Sequence, residues 1–172
     1  MTMSDHFAMH AESPAHASEA FRRWFRQSKI VDAAGRPLVV FHGTASPSWT
    51  RLNTRNHFEP TNGMGHGAYF APDIATAESY ALMDSEVGDG DPAIIPVFLS
   101  LQNPKMLFGG MTSQSVSTAQ KAQYEAEGYD GVIGASPDGR EIFEIVAFDP
   151  RQIKSALCNR GSYDPANPDI RM

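Results

Sequence analysis

A single cysteine, Cys158, rules out an internal disulfide, so the stapled frameworks of small secreted domains are excluded and folding in a reducing cytoplasm is expected. No apolar run approaches the roughly 20 residues that a membrane span needs. The opening stretch MTMSDHFAMHAESPAH lacks the apolar core of a secretory signal, so a cytoplasmic protein with no membrane partner is the expectation. Positive charge is scarce as well. With 14 Lys and Arg against 20 Asp and Glu, the net charge of −6 leaves no basic footprint, and a nucleic-acid target has no support from charge. Internal repeats and a second domain are absent. Three histidines, His6, His10 and His16, stand near the N-terminus, but no cysteine or acidic partner completes a ligand set there, and no metal is expected. Residues 1–17, mostly small and polar, are read as a flexible tail before one domain spanning 18–172.

What is present suffices for a core: 41% of the 172 residues are hydrophobic, and a domain of this size buries roughly two thirds of its unfolded surface. Ser18 caps an expected helix with Phe21, Trp24 and Phe25 on its apolar face. Residues 29–32 and 36–42 are expected to form a hairpin whose second arm runs through LVVFHGT, residues 38–44. A rigid strand that delivers a histidine, a glycine and a threonine at its end is a common foundation for an active site. A long irregular loop follows over residues 45–64. The glycines of GMGHGAYF mimic a dinucleotide-binding pattern, but they precede the strand 68–71 instead of opening a helix, and that reading is discarded. Asp73 caps a helix to about residue 84, with Ile74, Ala77, Tyr80 and Ala81 on one face. AIIPVFLSL, residues 93–101, is the strongest strand signal, and Pro96 suggests an edge position or an irregularity. A polar stretch after Pro104, a helix over 116–127 closed by Gly128, strands over 129–134 and 140–148, and one more over 152–157 complete the chain. Strands and helices that do not alternate regularly argue for an α+β fold with split, largely antiparallel sheets.

Three stretches carry chemistry. His42-Gly43-Thr44 ends a strand, and on the residues alone metal ligation and acid–base work are equally open to His42. Tyr69 and Tyr80 lie on a strand and on the helix that follows it, placed so that both rings can face one cleft. Glu144 interrupts IFEIVAF, and alternation puts it on one face with Ile142, Val146 and Phe148, where a carboxylate needs a cleft or a partner.

His-Gly-Thr, Gly-x-Tyr-Phe, a second tyrosine and Glu144-x-x-x-x-Asp149, in that order, resemble the His-Tyr-Glu class of ADP-ribosyltransferases, which includes diphtheria toxin and the poly(ADP-ribose) polymerases. The flanks SKIVD, Gly35, Pro37 and QIKSA with Asn159 and Gly161 are similar to the transferase domains of phage polyvalent proteins and bacterial polymorphic toxins. The resemblance implies a mono-ADP-ribosyltransferase with NAD as substrate and a host protein as acceptor. Within it, His42 would hold the adenosine ribose, the Gly43 backbone the nicotinamide amide, with Thr44 assisting, and Tyr69 and Tyr80 the nicotinamide ring. Glu144 would bind the nicotinamide ribose 2′-hydroxyl. Ala77 stands where the polymerases carry a serine, and Ile142 where arginine-specific transferases carry a second glutamate, which argues against an arginine acceptor. The short connection 135–139 occupies the place where the family reads its target. An NAD glycohydrolase and a silent NAD-binding module are the alternatives.

Overall fold

Ser18 opens the first helix by accepting a hydrogen bond from Phe21 N at 3.0 Å, as its N-cap position predicts. This helix, α1 (Glu19–Phe25), turns Phe21, Trp24 and Phe25 inward, where Phe21 meets Phe98 and Tyr163 edge-on at centroid distances of 5.2 and 5.0 Å. The computed structural model describes residues 18–45, 47, 50–51, 67–87, 90–109 and 118–172. The expected tail and its histidines, and most of the expected loop over 45–64, lie outside these residues.

Strands β1 (Val40–Thr44), β3 (Ala93–Leu99) and β7 (Ile153–Ser155) form one antiparallel sheet in the order β1-β3-β7. The second sheet, ordered β2-β6-β5-β4, contains β2 (Ala68–Phe70), β4 (Lys105–Phe108), β5 (Gly131–Ala135) and β6 (Ile142–Ala147). Helix α2 (Ile74–Val87) follows β2, and α3 (Thr118–Ala126) precedes β5. The two sheets share one apolar core, to which Val40, Ile95, Val97 and Ile153 contribute from the first and Phe70, Ile133, Ile145 and Ala147 from the second. The fold is α+β with mostly antiparallel pairing, as expected. Among the described residues no helix is long and apolar enough to cross a membrane.

Four expectations need correction. The hairpin over 29–42 shrinks to a single bridge, Val31 with Pro37, flanked by bonds from Asp32 N to the Arg36 carbonyl and from Leu38 N to the Ile30 carbonyl; beyond it Ile30 N turns to Ser28 Oγ, and β1 pairs with β3 instead. Pro96 sits in the central strand of its sheet, not at an edge. Its carbonyl accepts from Ala156 N at 3.0 Å, so its missing N–H faces the same neighbour, just where β7 has ended at Ser155, and little pairing is lost. Strand β4 was hidden in the polar stretch after Pro104, and it pairs parallel with β5. Helix α2 runs one turn beyond residue 84, to Val87.

The C-terminal segment is an ordered cap. Lys154 is fully buried, and its Nζ donates to the carbonyls of Asn167 at 2.7 Å and Asp169 at 3.1 Å, while burial pulls its pKa down to about 8. Lys154→Met keeps the stem and leaves both carbonyls without that donor. A loss of about 2 kcal/mol in urea unfolding is expected; an unchanged midpoint would show that the cap is not held by this residue.

Candidate active site

Strand β1 belongs to both halves of the fold. Phe41 exchanges two backbone hydrogen bonds with Ala71, at 2.9 and 2.8 Å, and so stitches the end of β2 to the free edge of β1. His42 then falls beside Tyr69, whose carbonyl lies 2.7 Å from His42 Nδ1. A carbonyl only accepts, so Nδ1 carries the proton and the neutral ring presents the lone pair of Nε2. Burial pushes the His42 pKa below its ordinary value, against the opposing effects of the Tyr69 carbonyl and the Asp84 charge, so the neutral ring prevails at pH 7. The ring leans on Phe70, with centroids 5.7 Å apart.

Gly43 is required by a close approach. A Cβ built there would fall 1.9 Å from the Ala77 carbonyl oxygen, so α2 lies directly against the β1 backbone. Since Phe41 points its N–H and C=O at Ala71, Gly43 points its own pair to the same edge, where no strand among the described residues continues the ladder. A donor and an acceptor side by side on an open edge suit a carboxamide. Thr44 Oγ1 donates to Asp84 Oδ2 at 3.2 Å, and Ala45 N donates to the same oxygen at 2.7 Å. Asp84 was missed by sequence reasoning, yet it stands four residues after Tyr80 on the apolar face that was identified.

Tyr69, Tyr80 and Glu144 come together. Glu144 lies on β6 opposite Gly134 and is 6% exposed, and burial raises its pKa to about 7, against a hydrogen bond from the Tyr80 hydroxyl that stabilises the carboxylate. Tyr80 is raised to about 12, first by burial and then by the Glu144 charge. Tyr69 is raised by burial and by the charges of Glu144 and Tyr80. Both hydroxyls therefore keep their protons at physiological pH. Tyr69 links the halves of the site, with its carbonyl on His42 and its side chain within the field of Glu144.

Glu144 shares a face with Val146 and Phe148 as alternation requires, but Ile142 packs in the main core on the other side. A bulge makes the difference, for Gly134 pairs with Glu144 and the next residue, Ala135, pairs with Ile142. Asp149, the acidic end of the Glu144-x-x-x-x-Asp149 pattern, turns out to cap the 3₁₀ turn Pro150–Gln152, accepting from Arg151 N at 2.8 Å. In the turn 136–139, Ser136 Oγ donates to Asp138 at 2.6 Å and accepts from Glu141 N at 3.0 Å, so the connection is closed on itself.

A family model described as ADP-ribosyltransferase in polyvalent proteins matches residues 32–163, which contain both sheets and every side chain of this cluster. No curated protein matches the chain. With more than half of its length in that match, the chain belongs to the ADP-ribosyltransferases of polyvalent proteins.

Proposed function

We propose that the protein is a mono-ADP-ribosyltransferase that uses NAD, releases nicotinamide and attaches ADP-ribose to a macromolecular acceptor, in the manner of a phage or bacterial effector acting on a host protein. The observation that carries this reading is the buried Glu144 carboxylate, hydrogen-bonded by Tyr80 within the field of Tyr69, whose carbonyl in turn fixes His42. His42 Nε2 accepts from a hydroxyl of the adenosine ribose. The open N–H and C=O of Gly43 hold the nicotinamide carboxamide, and Tyr69 and Tyr80 flank the ring.

Breaking the glycosidic bond sends its electron pair away with nicotinamide and leaves positive charge on the ribose. Glu144, ionised above about pH 7 and bound to the ribose 2′-hydroxyl, stabilises that charge. The acceptor nucleophile then bonds to the anomeric carbon and gives up its proton. Ile142 in place of a second glutamate favours an acceptor other than arginine.

Labelled NAD incubated with the protein and a bacterial lysate tests the proposal. Label on a macromolecule is the expected result; label found only in free ADP-ribose would make the protein a glycohydrolase, and no nicotinamide release would make it a binding module. His42→Ala is expected to slow nicotinamide release on the order of a hundredfold, with the far-ultraviolet circular dichroism unchanged. Wild-type turnover in that variant would remove His42 from the site.

A further inference from the structure

Helix α2 meets the end of β1 at Ala77 and Ala81, both against Gly43, and again at Asp84. The Ala77 carbonyl lies against Gly43, and seven residues further along the Asp84 carboxylate takes both Ala45 N at 2.7 Å and Thr44 Oγ1 at 3.2 Å. At 1.5 Å per residue these points are about 10 Å apart. Tyr80 stands between them on the same face, with its hydroxyl on Glu144. Ala77 and Ala81 both rest on the one residue Gly43, about one turn apart, which leaves a pivot there; a further point at Asp84, about two turns from Ala77, removes that freedom. Leu82 and Met83, beside Asp84, are exposed and give the turn no packing to replace the carboxylate.

We propose that Asp84 is a positioning residue for ADP-ribosyl transfer: it pins the second half of α2 to the end of β1 and so sets the point at which the Tyr80 hydroxyl meets Glu144. This rests on the reading of the site as an NAD-cleaving one. Asp84 needs no contact with NAD for this role. It acts through helix placement, and a charge-assisted bond to a backbone N–H is strong enough to decide it.

The test uses the full chain, comparing wild type, Asp84→Ala, Asp84→Asn, Tyr80→Phe and the Asp84→Ala/Tyr80→Phe double variant. Glu144 is titrated by carboxyl carbon NMR, and nicotinamide release from NAD is followed in parallel. Losing the Tyr80 bond raises the Glu144 pKa, whereas merely deleting the Asp84 charge lowers it, so the sign separates the two effects. The expected result is an upward shift in Asp84→Ala matching that of Tyr80→Phe, about a tenfold slower release at pH 7, and no further change in the double variant. Asp84→Asn, which keeps one accepting oxygen, recovers part of the loss. A downward or absent shift, or losses that add fully in the double variant, would overturn the proposal. Failure of the NAD-cleaving reading looks different, because wild type would then release no nicotinamide while the Glu144 shift persisted.

Discussion

Glu144→Gln is expected to cut NAD cleavage by a hundredfold or more and, at pH 8, to make the protein more stable than wild type. The loss follows from removing the carboxylate that, on the proposed reading, stabilises the developing positive charge. The gain follows from burial. Glu144 has a folded pKa of about 7 against an ordinary value of 4.5, so the folded state holds a proton over that interval that the unfolded chain releases. The stability associated with that proton is complete below about pH 4.5 and is lost as the pH rises through about 7. Above it, the buried charge costs at most about 3 kcal/mol. Glutamine is neutral throughout and keeps an acceptor for Tyr80. Urea unfolding at pH 8 and pH 4.5 measures this directly: the variant leads at pH 8 and the two proteins converge at pH 4.5. Equal stability at both values would show that the carboxylate is not desolvated. For the wild type, the same ionisation predicts nicotinamide release that climbs with pH through an apparent pKa near 7.

The residues of the candidate site were legible because each breaks a local pattern. His42 ends an apolar run, Glu144 interrupts another, and Gly43 follows a strand with no turn in the sequence to require it. What could not be read depends on partners distant in sequence. Whether Pro96 marks an edge depends on where β7 stops, and β7 lies more than fifty residues later. Strand β4 is short and half exposed, with Met106 and Phe108 outward, so it lacks the apolar signal of a buried parallel strand. Ile142 follows alternation until the bulge opposite Ala135 shifts it, and a bulge has no mark in IFEIVAF. Asp84 was read as the end of a helix instead of as a ligand for the β1 backbone, since a carboxylate near a helix terminus has an ordinary solvated explanation. Its position four residues after Tyr80 was the available signal.

Gly43→Ala is expected to disable the site more thoroughly than loss of any single side chain other than Glu144. The added methyl would sit 1.9 Å from the Ala77 carbonyl oxygen and 3.0 Å from Ala81 N, both backbone atoms of α2 that no rotamer change can move. Either α2 lifts from β1 or β1 retreats from β3, and each movement separates groups that must act together. If α2 lifts, Tyr80 leaves Glu144 and Asp84 leaves Ala45. If β1 retreats, the Phe41–Ala71 stitch and the His42–Tyr69 bond are strained. Overpacking of this kind costs about 1–3 kcal/mol, so the variant is expected to fold with a lowered unfolding midpoint. Nicotinamide release should fall at least a hundredfold, because small displacements of reacting groups have effects of that size. The NMR titration gives the distinguishing sign: Glu144 deprived of Tyr80 titrates at a higher pH than in the wild type. A Gly43→Ala protein with unaltered release and an unaltered Glu144 titration would mean that α2 and β1 do not act as one rigid unit.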